Sequence, residues 1–205
     1  MEKQPMKLDC QLHIRLEDRR VAITPLHWDH FGAMLPIALA HPDLLRYSPS
    51  DFGTEAALKA YFENALQERA QNRRYPFAIY DKRCNRYAGS TSYMNIANAD
   101  LRLEIGSTWI GKAFQRTGLN RHCKFLLLQY AFGVLQFERV EFRTDSRNNQ
   151  SRNAIQDIGA TYEGELRSHM LMPDGYRRDT VCYSILKHEW PEISTTVFNA
   201  IKNDI

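Results

Sequence analysis

The chain alternates between two hydrophobic periods, and the order of the alternation outlines a fold. Residues 13–26, HIRLEDRRVAITPL, alternate apolar and polar positions as a hairpin or bent strand does, with a first strand expected near 20–25. Two helical stretches follow. In 29–39 the apolar positions are Phe31, Met34, Leu35, Ile37 and Ala38; in 55–71 Thr54 offers an N-cap ahead of Ala57, Leu58, Tyr61, Phe62 and Leu66. The short period then returns in YPFAIYD (75–81), RYAGSTSYMNI (86–96) and LRLEIGSTWI (101–110), joined by short polar turns as in an antiparallel meander.

From Thr117 the pattern is helical again, with Leu119, Cys123, Leu126, Leu127, Tyr130, Ala131 and Val134 on one face. RVEFRT (139–144) reads as a strand, parallel to the one before the helix because a βαβ crossover returns the chain that way. A short helix over 149–157 ends at Gly159, a C′ glycine, and TYEGELRSHMLM and RRDTVCYSILKH flank Pro173-Asp174-Gly175 as a hairpin. The expected architecture is α+β: a mixed, mostly antiparallel twisted sheet of about seven strands, with a central parallel pair joined by a βαβ crossover and about four flanking helices. Residues 1–12 read as a flexible N-terminal arm, and 13–205 as a single domain without repeat or linker.

Composition narrows the function more than the fold. With 43% hydrophobic and 25% charged residues the chain has an ordinary globular balance, and Lys+Arg 27 against Asp+Glu 24 argues against a nucleic-acid partner. A locally basic pocket for a small anion remains compatible with that balance. Cys10, Cys84, Cys123 and Cys182 stand far apart without metal-ligand spacing, so free thiols and no metal are expected. The first residues lack a secretory apolar run and no later stretch is long enough to span a membrane, which gives a cytoplasmic expectation with no membrane partner.

The candidate chemistry sits in Gln115-Arg116-Thr117-Gly118-Leu119-Asn120, at the entry to the crossover helix. A helix start offers unpaired N–H groups and the positive end of the dipole to an anion. Gly118 admits close approach, Thr117 is placed to cap the helix, and Arg116 can add a charge-assisted contact to a phosphate. Taken alone, a glycine near a helix start is more often only a turn residue, and that reading outweighs the functional one.

The longer segment EIGSTWIGKAFQRTGLNRHCKFLLLQYAF resembles the acetyl-CoA-binding core of the GNAT superfamily of N-acetyltransferases, whose pattern is [Gln/Arg]-x-x-Gly-x-[Gly/Ala]. Gln115, Gly118 and Asn120 fall on its three positions, and Asn120 departs from the usual Gly or Ala. FERVEFRTDSRNNQSRNAIQDIGATYEGELRSHM is similar to the next strand and helix of the branch related to ribosomal-protein N-terminal acetyltransferases, with Asn148, Ser151, Gly159, Glu163 and Gly164 in the matching places. LEDRRVAITPLHWDHF and RRDTVCYSILKHEWP extend the likeness over nearly the whole chain.

The resemblance implies acetyl-CoA as cosubstrate and a GNAT fold whose central parallel strands splay apart. It assigns the backbone of Trp109 and Ile110 to the pantetheine arm, Gln115, Arg116, Thr117, Gly118, Leu119 and Asn120 to the pyrophosphate, and Asn148 to cofactor binding or helix capping. Glu104 matches a position where related enzymes often carry an acid that takes the amine proton, directly or through water; its plainer reading is a solvated strand carboxylate or a partner for an arginine. Ser151 stands where it can hydrogen-bond the sulfur or relay a proton, although serine is common in a first helical turn. His169 is a further candidate base, on the late strand where the ribosomal-protein enzymes carry a glutamate. The expected activity is acetyl transfer to a primary amine such as a protein N-terminus. The alternatives are a small-molecule amine acceptor or a catalytically weak acyl-CoA-binding module. The final strands and the tail HEWPEISTTVFNAIKNDI offer contacts for a homodimer.

Overall fold

In the computed structural model, which describes residues 6–202, the alternating pattern condenses into one sheet. The strands are β1 (Leu16–Glu17), β2 (Val21–Pro25), β3 (Arg74–Asp81), β4 (Arg86–Ala97), β5 (Arg102–Ile110), β6 (Arg139–Asp145), β7 (Thr161–Leu171) and β8 (Arg177–Leu186). They lie side by side in the order β1-β2-β3-β4-β5-β6-β8-β7. Each neighbouring pair is antiparallel except β5 and β6, which are parallel and joined through the crossover helix. The helices are α1 (Phe31–Ala40), α2 (Glu55–Ala70), α3 (Leu119–Gln129), α4 (Asn149–Gln156), α5 (Trp190–Thr196) and α6 (Asn199–Lys202).

The described residues thus form eight strands and six helices, where about seven and four were expected. The additional strand is β1, formed because the Asp18 carboxylate accepts the amides of Arg20 (2.7 Å) and Val21 (2.8 Å) and closes a tight turn. The additional helices come from the C-terminal tail. Trp190 and Phe198 are buried there against Phe125, and Trp190 also packs on Phe132. Residues 6–12 are docked on the domain and do not form a free arm. Asn98 bonds both backbone groups of Leu8, Arg69 holds the Cys10 carbonyl at 2.9 Å, and Leu8 and Cys10 are buried. Met6, Leu8, Cys10 and Leu12 alternate with polar residues, a two-residue period that a reading of 1–12 as an arm passes over, and of the four Leu8 and Cys10 are the buried pair. Residues 1–5 lie outside the described residues.

Helix ends follow local chemistry. The Thr54 hydroxyl accepts the Ala57 amide at 3.1 Å and starts α2. After α4, Gly159 at φ 86 lets its own amide reach the Gln156 carbonyl and the Ala160 amide reach the Ile155 carbonyl, a Schellman closure with Gly159 at C′.

The two sheet faces carry different helices. On one face the Tyr61 hydroxyl of α2 donates to Ser90 Oγ of β4 at 3.2 Å; on the other the Tyr93 hydroxyl donates to the Leu127 carbonyl of α3 at 2.7 Å. Because alternate strand residues share a face, the pairs Ser92↔Gly106 and Met94↔Glu104 put Glu104 on the α2 face, and Tyr93↔Ile105 puts Ile105 on the α3 face.

Candidate active site

The parallel ladder between β5 and β6 is short: Arg102↔Arg139, Leu103↔Val140 and Glu104↔Glu141. Both strands continue, β5 to Ile110 along β4 and β6 to Asp145 along β8, but their facing edges no longer pair. Beyond that point β5 is also distorted. Ser90 opposes Trp109 and Ser92 opposes Gly106, so Thr91 faces two residues, Ser107 and Thr108, in a bulge with Ser107 at φ 46. Buried Arg74 fixes the bulge, donating to Ser107 Oγ, the Tyr61 hydroxyl and Ser92 Oγ, each at 2.8 Å. Past the bulge Trp109 packs on Tyr61 and Phe52 of the α2 face, while Thr108 turns toward α3.

The head of α3 lies beside the end of β5. Gln115 ties the two together, its Nε2 donating to the Ile110 carbonyl at 2.8 Å. Arg116 (φ 58) and Gly118 (φ 86) both take left-handed backbone, and among the described residues the amides of Arg116, Thr117, Gly118, Leu119 and Asn120 have no protein acceptor. Left-handed turns with free amides make an anion-binding concavity. A Cβ built on Gly118 meets nothing within 4 Å, so the space over that amide is open to a ligand. Thr117 does not cap the helix as expected. Its hydroxyl donates to the Phe114 carbonyl at 2.7 Å, and Gly118, without a side chain, stands at the N-cap. Leu119 is fully buried and offers only its backbone; Asn120 Oδ1 is buried without a hydrogen-bond partner.

Across the gap, α4 presents its own amino end. Asn148 caps it by accepting the Ser151 amide at 3.1 Å, and Gln150 Nε2 donates to Gln115 Oε1 at 3.1 Å, joining this helix to the α3 loop. Ser151 is half-buried, and its hydroxyl bonds no protein group among the described residues. Glu104, at the point where the strands part, is 7% exposed. Burial raises its carboxyl above the ordinary glutamate range, opposed by Arg143 (Nε at 3.6 Å) and by Asn95 Nδ2, which donates at 2.7 Å. His169 is exposed on edge strand β7 with its Nδ1 3.1 Å from Thr180 Oγ1, and β6 and β8 lie between its strand and β5. The fold therefore brings together Glu104, Trp109, Ile110, Gln115 to Asn120, Asn148 and Ser151, and leaves His169 apart.

A family model described as "Acetyltransferase (GNAT) domain" matches residues 20–161, which include the meander, the bulge, the α3 loop and the start of α4. The chain belongs to the GNAT acetyltransferase family. It is 34% identical over 102 residues to a Bacillus subtilis protein named "Putative ribosomal N-acetyltransferase YdaF", covering 50% of this chain and 55% of the relative. The alignment thus spans about half the length of that curated relative. Among solved structures, a GCN5-related N-acetyltransferase from Brucella melitensis superposes with a TM-score of 0.85 at 27% identity, covering 92% of this chain and 85% of the other. RimJ of Mycobacterium smegmatis, solved in complex with CoA-disulfide, shares the fold with a TM-score of 0.77 at 21% identity, over 93% and 94% of the two chains.

Sequence reasoning missed the partners of these groups. Asn95 and Arg143 come to Glu104 from β4 and β6, and Arg74 and Tyr61 secure the bulge from β3 and α2. Lys124 of α3 is 7% exposed with Nζ 3.0 Å from Thr108 Oγ1, and burial lowers its ammonium from 10.5 to about 8. The one available signal is its spacing: Lys124 lies four residues after Asn120, on the same helical face.

Proposed function

We propose that the protein is an acetyl-CoA-dependent N-acetyltransferase acting on a primary amine, with protein N-termini among its acceptors. The observation that carries this reading is the parting of β5 and β6 directly after Glu104, with five unpaired amides at the head of α3 beside it. Amides 116–120 fit a pyrophosphate, and the unpaired edge of β5 from Ile105 to Ile110 fits an amide-bearing pantetheine arm. When bound, acetyl-CoA supplies the activated acetyl group.

The chain's own groups meet the other needs of acyl transfer. Glu104 is screened from water and holds its proton more tightly than an ordinary glutamate, as suits a group that removes a proton from an ammonium near neutral pH. The acceptor side is charged with both signs: Glu141 and Glu163 are bonded by Arg139, and Arg143 bonds Glu141. The ribosomal acceptor named for the B. subtilis relative supports a protein N-terminus as the first class to test.

Titration calorimetry with acetyl-CoA, followed by thiol release over a panel of N-terminal peptides and small amines, tests the reading. Binding together with peptide-dependent release is expected. Absence of acetyl-CoA binding refutes it, and binding without release to any amine leaves a binding module instead.

A further inference from the structure

The α3 side of the gap holds a buried ammonium that the roles assigned above do not use. Lys124 Nζ donates to Thr108 Oγ1 of β5 at 3.0 Å and lies 6.0 Å from the Phe142 ring centroid of β6, so it bridges the two strands beyond their last paired residues. An ammonium has three donors, and Thr108 Oγ1, itself 2.8 Å from Thr91 Oγ1, is the one acceptor it has among the described residues. No carboxylate forms an ion pair with it there. The charged and titratable groups that bear on it are Cys123 from its own helix and Glu104 from β5. The Cys123 thiol is pushed up to about 12 by burial and stays neutral, and Glu104 belongs to the opposite face of the sheet.

Burying a cation without a carboxylate is unfavourable, and a methionine or leucine would fill this part of an otherwise apolar helix face at no such cost. One turn earlier the same face carries Asn120 with its unpartnered Oδ1. Polar groups lined up along the parted strands, below the anion-binding loop, are arranged for a ligand that enters at the loop and ends deep in the gap.

We propose that Lys124 is a catalytic acid of the acetyltransferase, stabilising and protonating the departing thiolate of the acyl donor. The inference rests on the acetyl-CoA reading above. As the acceptor nitrogen bonds to the acyl carbon, the carbon–sulfur bond breaks and its electron pair stays on sulfur. Sulfur takes a proton from Lys124 Nζ, while the nitrogen gives one to Glu104. Glu104 releases its proton to solvent and Lys124 regains one, so the net reaction is amine plus thioester to amide plus thiol. A lysine held near 8 is well matched to a thiol whose own ordinary value is close to that.

The test compares the wild type with Lys124→Met and Lys124→Arg, using CoA and desulfo-CoA as probes and the ultraviolet absorbance of the thiolate as a readout that needs no turnover. In the wild-type complex the CoA thiol titrates lower than free CoA by about one unit or more, and CoA binds more tightly than desulfo-CoA at pH 8. In Lys124→Met both differences disappear while desulfo-CoA affinity is kept, and kcat falls about 10²-fold or more. Lys124→Arg keeps the lowered thiol because it keeps the charge, but transfers its proton poorly and recovers little of kcat. An unchanged thiol titration in Lys124→Met, or equal loss of both probes, overturns the proposal and leaves Lys124 a packing residue. Failure of the wild type to bind either probe overturns the acetyl-CoA reading itself, and this inference with it.

Discussion

Replacing Lys124 by methionine should stabilise the protein at neutral pH, by an amount that depends on pH in a defined direction. The ammonium is 7% exposed and titrates at about 8 in the folded chain, against an ordinary 10.5. At 1.36 kcal/mol per unit, the folded state holds that proton about 3 kcal/mol less favourably than the unfolded chain does. Methionine has a similar length and no charge. It forfeits the bond to Thr108, about 1 kcal/mol, and Thr108 keeps its bond to Thr91. The net expectation at pH 7 is a gain of about 2 kcal/mol, or about 4 to 8 °C in Tm for a chain of this length.

The sign of the pH dependence makes the argument testable. Below pH 8 both states of the wild type carry the proton, and the full burial penalty applies. Between about 8 and 10.5 the folded state has released it and the unfolded chain has not, so wild-type stability rises with pH across that window relative to the variant. Urea unfolding of both proteins from pH 6.5 to 10.5 reads this directly, because every other titrating group is common to the pair. The difference between the two proteins should change by about 3 kcal/mol over the window, turning a gain of about 2 kcal/mol for Lys124→Met into a loss of about 1 kcal/mol. A difference that stays constant with pH, or a variant less stable than wild type at pH 7, refutes the claim that Lys124 is an uncompensated buried cation.

Further outcomes follow from the same geometry. Glu104→Gln should lower kcat about 10²-fold or more with acetyl-CoA affinity nearly unchanged. The wild-type rate should fall as pH drops through a value above the ordinary glutamate range, because burial raises this carboxyl; a pH–rate profile that keeps this limb in the variant excludes Glu104 as the base. Gly118→Glu should fold, since its side chain enters open space, with about 1 kcal/mol lost to the left-handed backbone; calorimetry should show acetyl-CoA affinity down at least about tenfold. Tyr61→Phe withdraws an acceptor from buried Arg74 and should cost about 2 kcal/mol in urea unfolding. Asn120→Ala removes a buried acceptor that has no partner and should raise stability in the ligand-free protein by about 1 kcal/mol, read as a higher Tm.

The sheet was legible because its strands are apolar-rich runs bounded by short polar turns, and α3 because its apolar stripe is long. The left-handed loop at the head of α3 was legible through its glycine: Gly118 at φ 86 marks a backbone shape that few other residues adopt. What escaped was long-range. Asn95 and Arg143 reach Glu104 only once β4 and β6 flank β5, and no local pattern encodes that. Thr117 looked like a cap, yet the turn at 112–114 left a carbonyl nearer to its hydroxyl than the amides ahead. Lys124 stands within a helical run of apolar residues, and a single charge on such a face reads as solvated until its burial is known.

The bulge at Ser107 and Thr108 connects these particulars. In an uninterrupted strand Thr108 would share the face of Glu104 and Gly106, and Trp109 that of Ile105. One extra residue reverses the order: Ser107 and Trp109 meet α2, and Thr108 meets Lys124 of α3. The same distortion lies where β5 has ceased to pair with β6. A carboxyl that tends to accept a proton thus stands on one face of the gap, and an ammonium that tends to give one stands on the other. Arg74, through its hold on Ser107, fixes the bulge that turns Thr108 toward Lys124. Its replacement should disturb the Lys124 titration, whereas replacing Lys124 leaves the bulge in place.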